Sequence, residues 1–373
     1  MKTVVVSAVN IVSGGTLTIL RQCLGLLSVL GHRMGLRIIA VVHARELADF
    51  PHIEYIEWPH IKESWLKRIW CEYVGFHKLS QQLAPVDLWL SLHDMTPRVQ
   101  AFTRAVYCHN PTPFYKTRWR DMLLDYKVFL FSIFYKHLYQ INIKKNNYII
   151  VQQDWLRNAF ADMYRLDKKK IIVAYPNTPR KEQEINEHNE IDIHHHRPIR
   201  FFYPALPRIF KNFEVICQAA QILEHRGIQD FIVSLTIDGT ENSYAKKIVN
   251  TYKHCTSIRF VGLITSEKMG DAYLATDCLI FPSKLETWGL PLSEFSSYDR
   301  PILAANLPYA HEASNGAKLI DFFDPSSPEE LADKMAKFIS NDLSNFGVNK
   351  SRQIKEPFTT NWETLILHLL SSK

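Results

Sequence analysis

The stretch "CLIFPSKLETWGLPLSEFSSYDRPILAAN", Cys278 to Asn306, decides the fold. It opens on four apolar residues, a run too short for a buried helix and right for a strand covered on both faces. Pro282 and Ser283 end that run. A helix is predicted to start after Gly289, because Pro291 suits a first turn, where its missing N–H costs little. "PILAAN" then reads as the next strand. Strand, loop, helix, strand is the building unit of a parallel sheet.

The same alternation runs along the chain. Strands are expected at "TVVVSAV", "LRIIAVV", "VDLWLSL", "RAVYCHN" and "NYIIVQQ" in the first half. In the second half they are expected at "IRFFYPA", "DFIVSLTIDG", "IRFVGLI", "CLIFPS" and "PILAAN". Amphipathic segments lie between them, such as "TLTILRQCLGLLSVLG" and "NFEVICQAAQILEHRG", the latter closed by Gly227. The pattern therefore predicts an α/β protein of two doubly wound domains. The expected bounds are 1–180 and 199–355. Between them lies a polar linker at 181–198, and a C-terminal helix occupies 356–373. A length of 373 residues fits two domains.

Composition narrows the class. The chain is 46% hydrophobic with a net charge of +6, which excludes a disordered chain and gives no strong case for nucleic acid. Six cysteines are scattered without a CxxC pair, so buried free thiols in a reducing compartment are expected. "MKTVVVSAVNIVSGG" reads as a first strand, not a signal peptide. No run of 18 apolar residues occurs, so no membrane-spanning helix is expected. The expected location is cytoplasmic, with an optional peripheral place on the inner face of the membrane.

Glu286 and Glu294 flank the predicted helix start. Free N–H groups at such a start favour an anion, and ligands of open α/β sheets bind beyond the carboxyl ends of strands. A phosphate there would leave the glutamates to accept hydrogen bonds from sugar hydroxyls on either side. That describes a nucleotide diphosphate-sugar. The alternative is that Glu294 complements the helix dipole and Glu286 is a solvated loop residue.

These residues resemble the E-x7-E motif of retaining glycosyltransferase family 4, which has the GT-B fold. "FFYPALPRIFKNFEVICQAA" resembles the start of that family's second domain, with Lys211 in its lysine position. "SLTIDGTE" and "IRFVGLI" are similar to two further strand motifs, and "SGGT" and "YCHNPTPF" match the first domain more loosely. The resemblance implies a second domain that binds a nucleotide-sugar donor. Glu286 and Thr287 would face the donor sugar, the backbone of Trp288, Gly289 and Leu290 the diphosphate, and Glu294 the ribose. Lys211 would neutralise the diphosphate and assist the leaving group, with Glu286 and His109 as the other catalytic residues. Gly262 and Leu263 would lie beside the base, and Gly14 and Gly15 would border a cleft. Arg208 stands where the family's arginine is missing, since Ala205 and Leu206 replace the usual Gly-Arg. Asn212 replaces a glycine after the lysine, a change its capping ability would allow. No metal or cofactor is expected, and the donor is the substrate. The acceptor would be a glycan or lipid-linked glycan, in capsule, O-antigen or lipopolysaccharide synthesis.

Other residues have two readings each. His109 follows a strand and serves either the site or the turn at Asn110-Pro111. Asp94 either orients the acceptor hydroxyl or makes an Asx-turn. His194, His195 and His196 are either a metal site or solvated linker residues. Residues 116–146, with seven Lys or Arg and two acids, suit either an anionic membrane surface or one packed helix with a solvated face. Trp65, Lys67, Arg68 and Trp70 would extend that surface. Two rival functions remain at this point. A non-catalytic two-domain sugar receptor would need a signal peptide, and a sugar-nucleotide epimerase would need acid/base residues that the E-x7-E loop does not supply.

Overall fold

The computed structural model describes residues 1–115, 125–176, 197–350 and 352–371. The expected linker at 181–198, the three adjacent histidines and part of the basic segment lie outside them, apart from Arg197 and Pro198. Two compact units result. One comprises Met1–Phe114, Ile133–Asn177 and Ile354–Lys373. The other comprises Tyr115–Ser132 and Thr178–Gln353. The described residues 115 and 125–132 group with the second unit, whereas the sequence reading drew its boundary at 180.

The first unit is built on β1 (Thr3–Ala8), β2 (Arg37–Val42), β3 (Ile53–Glu57), β4 (Leu88–Ser91), β5 (Thr103–Tyr107), β6 (Tyr148–Val151) and β7 (Ile171–Ala174). The second holds β8 (Ile199–Tyr203), β9 (Phe231–Leu235), β10 (Ile258–Phe260), β11 (Cys278–Phe281), β12 (Ile302–Ala305) and β13 (Ile320–Phe323). A last short strand, β14 (Phe358–Thr359), returns to the first sheet beside β7. The sheet orders are β14-β7-β6-β5-β4-β1-β2-β3 and β10-β9-β8-β11-β12-β13. Every pairing between these strands is parallel among the described residues. Both units are doubly wound, and the chain order reverses between β1 and β4 in one and between β8 and β11 in the other.

Alternation along β1 explains its unbroken apolar run. Val4, Val6 and Ala8 join a core with Leu20, Leu24 and Leu27 of the helix Gly14–Met34 and with Leu365 and Ile366 of the helix Trp362–Ser371. Val5 and Val9 face the opposite core with Ile39, Phe76 and Trp89. The C-terminal helix is therefore part of the first unit. Its Trp362 stacks on Tyr107 at 5.4 Å, and Lys2 Nζ donates to Leu370 O at 2.9 Å.

The helix Gly14–Met34 is long and apolar enough, by length and composition, to cross a membrane. The apolarity is accounted for by the core contacts just named. All six cysteines are free and buried.

Candidate active site

In the second unit the strand-order reversal falls between β8 and β11, and the loops leaving these two strands meet. Phe210 O accepts from Lys284 N–H at 2.7 Å and from Ser283 Oγ at 3.3 Å. Two buried tyrosines brace the same junction. Tyr203 Oη donates to Lys211 O at 2.9 Å, and Tyr309 Oη donates to Ser283 O at 2.6 Å. Burial, and next the negative Glu286, push both hydroxyls well above the ordinary tyrosine range. Both therefore stay protonated and able to donate.

This bracing brings together two of the residues chosen from sequence. Lys211 Nζ lies 2.5 Å from Glu286 Oε1, with the side chains only 19% and 11% exposed. A pair this sheltered keeps more of its Coulomb attraction than an open one and can still be reached by a ligand. Asn212 follows at φ +60° with no capping bond to the helix Phe213–His225. Its Nδ2 donates instead to Pro282 O (3.2 Å) and Pro325 O (2.8 Å). Asparagine replaces glycine here because it tolerates the left-handed region and ties two loops, not because it caps. Arg208 points to Asp125 at 3.4 Å, half-exposed.

A cavity of about 400 Å³ opens beside these loops. Ala205 and Leu206 after β8, Thr236 after β9, Leu263 and Ile264 after β10, and Leu290, Pro291 and Glu294 of the short helix Leu290–Ser296 all line it. The cavity thus collects the carboxyl ends of four strands. Gly289 has φ +92° at the helix start, which favours glycine. Gly262 has φ +70°, and a Cβ there would stand 3.2 Å from Asp238 Oδ2. Trp288 is buried, and its Nε1 donates to Ser293 Oγ at 3.0 Å, so the ring anchors the loop. Neither Trp288 nor Thr287 lines the cavity.

Sequence reasoning missed Tyr273. It lines the cavity, is buried, and donates from Oη to Glu294 Oε2 at 2.8 Å. Burial, and next Glu294, raise its hydroxyl far above the ordinary value. Thr236 was missed as well. Its Oγ1 accepts from Ala205 N–H at 2.8 Å and fixes the loop after β8. Neither stands in a motif, and only their place at strand and helix ends marks them.

In the first unit, Gly14 begins the long helix after β1 with φ +70°, and Gly15 follows, both exposed. Asp94 departs from expectation. Its Oδ1 accepts from His109 N–H (2.5 Å), Asn110 N–H (3.0 Å) and Tyr139 Oη (2.8 Å), and Tyr135 Oη lies 3.5 Å from Oδ2. The carboxylate is used to tie the exits of β4 and β5. No Asx-turn is needed to explain it. His109 rests on Tyr107 at 4.6 Å, and burial lowers its pKa below the usual histidine value. Burial therefore favours the neutral imidazole, with its buried Nε2 unpaired among the described residues. Arg68, expected on a basic surface, is buried and donates to Glu72 Oε1 at 2.9 Å and to His93 O at 3.1 Å.

Comparison with known proteins supports the fold. Residues 183–356 match the family described as "Glycosyl transferases group 1". The O-antigen chain mannosyltransferase RfbU of Salmonella typhimurium is 21% identical over 234 residues, which is 61% of this chain. The match spans 63% of that protein's length. A glycosyltransferase structure from Rickettsia africae superposes with a TM-score of 0.63 at 17% identity, covering 92% of this chain and 90% of that one. The structure of Anabaena HepE in complex with UDP superposes with a TM-score of 0.60 at 14% identity, covering 92% of each. The architecture is GT-B, and the stretch that matches the group 1 glycosyl transferase family, residues 183–356, includes the β8–β11 junction with Lys211, Glu286 and Glu294.

Proposed function

We propose that this protein is a retaining glycosyltransferase. It moves a hexose or deoxyhexose from a nucleotide diphosphate-sugar to an acceptor hydroxyl. The observation that carries the reading is the Lys211–Glu286 pair held 2.5 Å apart at the β8–β11 junction, beside a cavity bearing Glu294. The family match over 183–356 supports it.

The nucleoside occupies the cavity, with Leu263 and Gly262 near the base and Glu294 accepting from the ribose hydroxyls. The diphosphate lies along Gly289 and Leu290 and shares Lys211 with Glu286. As the bond between the anomeric carbon and the phosphate oxygen breaks, charge grows on the diphosphate. A fixed ammonium stabilises that charge more in the transition state than in the bound donor. Glu286 accepts hydrogen bonds from the donor sugar. The acceptor oxygen bonds to the anomeric carbon on the face the phosphate leaves, and its proton passes to the departing phosphate. Lys211 supplies the cation, so we assign no metal to this step. Arg208 is a second cation within reach of the same loop. In the first unit we assign the acceptor side to the exits of β1 and β5, where Gly14, Gly15 and His109 stand.

The acceptor we propose is a glycan or lipid-linked glycan of a cell-surface polysaccharide, the class in which the RfbU relative's name places that protein. Six free buried thiols accord with a cytoplasmic enzyme. The test is a panel of sugar nucleotides, followed by nucleotide diphosphate release with and without acceptor glycans and with chelator present. We expect release from one donor, stimulated by acceptor and unchanged by chelator. No release from any donor, together with no nucleoside diphosphate affinity in calorimetry, overturns the reading.

A further inference from the structure

The helix Trp65–Trp70 and the π-helical turn Cys71–Gly75 that continues it are inside out. The buried side of this segment carries the charges, Arg68 and Glu72, paired at 2.9 Å beside His93. The exposed side carries Leu66 (80% exposed), Ile69, Trp70 (52%) and Val74. These four are spaced i, i+3, i+4, i+8, the period of one helical face. A surface helix normally turns that face to the core.

A second helix buries its aromatic side and still exposes an apolar one. Tyr126–Gln140 buries Phe129, Ser132, Tyr135 and Tyr139 and exposes Leu130, Ile133, Phe134 (59%) and, one residue past its end, Ile141. These exposed residues again fall at i, i+3, i+4 and i+11. Trp65 meets Tyr135 edge-on with ring centroids 6.4 Å apart, so the first helix adjoins the part of the second, from Ile133 on, that belongs to the first unit. Soluble monomers rarely leave two periodic apolar faces side by side.

The charge around this face is mainly positive. Between residues 126 and 147 the chain has four lysines and no acid. Lys136, Lys144 and Lys145 are exposed. Lys62 is exposed just before the neighbouring helix, and of the acids beside these helices among the described residues Glu63 is paired with Lys67 and His60 and Asp125 with Arg208. Exposed tryptophan, tyrosine and aliphatic side chains rimmed by lysines match the interfacial layer of an anionic bilayer. The rings sit at headgroup depth, the aliphatic groups enter the acyl boundary and the ammonium groups meet lipid phosphates.

We propose that the paired helices Trp65–Trp70 and Tyr126–Gln140 form a docking face for an anionic membrane surface. The inference stands apart from the assigned chemistry, because none of its residues serves the donor site.

The test is co-sedimentation of the whole protein with vesicles of phosphatidylcholine alone and of phosphatidylcholine with phosphatidylglycerol. We expect binding only to the anionic vesicles, weakening as salt rises. Trp70→Glu with Phe134→Glu should lower binding roughly tenfold or more, the factor expected from removing two large apolar anchors. Lys144→Ala with Lys145→Ala should lower binding to anionic vesicles by about fivefold for each charge lost. All four side chains are exposed, so unchanged circular dichroism and melting should confirm that the variants fold. Wild-type protein left in solution with every vesicle overturns the proposal. So does equal binding to neutral vesicles, or binding that ignores both double substitutions. A concentration-dependent dimer in ultracentrifugation that Trp70→Glu abolishes also overturns it, because a second copy of this chain would then be the occupant.

Discussion

Each unit delivers an acid just beyond a strand at its point of chain reversal, and the two acids do different work. After β4, Asp94 accepts three hydrogen bonds through Oδ1 and holds the exits of β4 and β5 together. After β11, Glu286 holds one partner, the ammonium of Lys211, in a place a ligand can still reach. Topology brings an acid to the right end of a sheet in both units. What separates a strut from a candidate binding group is how many donors the fold has already aimed at it. Asp94 faces two backbone N–H groups and two tyrosines. The backbone around Glu286 is braced by tyrosines that donate to carbonyls and leave its carboxylate to the lysine.

Breaking each acid's partner should separate the two roles. Lys211→Ala should lower turnover by roughly 10²–10³, the usual cost of removing a fixed group that stabilises developing charge. Affinity for the bare nucleoside diphosphate should fall much less, and melting should move little. Steady-state rates beside calorimetric affinities read this directly. Turnover within a few-fold of wild type would move the role to Arg208.

Asp94→Ala should act on the fold instead. It leaves two backbone N–H groups without their acceptor and Tyr139 with only the longer bond to Asn110 O at 3.2 Å, and stability should fall by about 3 kcal/mol. Nucleoside diphosphate affinity should remain as in wild type, because the cavity lies wholly in the other unit. Chemical denaturation followed by tryptophan fluorescence checks the first half, and calorimetry checks the second. An Asp94 variant that keeps its stability and loses transfer would return Asp94 to the acceptor.

Acid should separate the units more gently. Burial depresses the pKa of His109. Below the unfolded value near 6.5 the unfolded chain takes up the proton first, so the first unit loses stability as pH falls from there. In the second unit Asp277 sits at about 2, where bonds from Arg197 and Arg200 outweigh the opposing effect of burial. Its contribution, roughly 2 kcal/mol, holds down to about pH 4 and is lost between there and about pH 2. Melting curves across pH should show the first unit weakening earlier, and Asp277→Asn should remove the later step alone.

Much of this was legible because apolar runs and turn residues are local signals. All ten strands expected from sequence form. Those not expected, β3, β7, β13 and β14, are short or lie against the sheet edges, and β3 carries Glu54 and Glu57 between its apolar residues. Glu286 and Glu294 could be singled out because loop and helix-start chemistry sits within one stretch of chain, whereas Lys211, 75 positions before Glu286, entered only through the family resemblance. The fate of Asp94 was not, since its partners come from positions 109, 110, 135 and 139. Arg68 misled for the same reason. A charged residue between two tryptophans reads as surface, and only the fold brings Glu72 and His93 round it. The inverted face of Trp65–Trp70 shares this cause, because a helical period marks an apolar face without saying which way it turns.

The smallest expected effect tests the finest point of the comparison, which is whether a partner fixes a carboxylate for use or takes it out of use. Tyr273 gives Glu294 one hydrogen bond at Oε2, and Glu294 is otherwise exposed. One bond orients the carboxylate and leaves Oε1 for a ribose hydroxyl. Losing the bond should cost order at Glu294 without emptying the cavity. Tyr273→Phe removes one oxygen and keeps the ring contacts with Phe202 and Phe295. Nucleoside diphosphate affinity should then fall by about 1 kcal/mol, the net worth of one such bond. Glu294→Ala should cost roughly 1–3 kcal/mol, and the double variant should cost no more than Glu294→Ala alone, because the tyrosine acts only through the carboxylate. A donor analogue lacking both ribose hydroxyls should bind all three variants and wild type alike. If Tyr273→Phe weakens that analogue as much as the normal nucleotide, the tyrosine shapes the cavity instead, and Glu294 is positioned by something else.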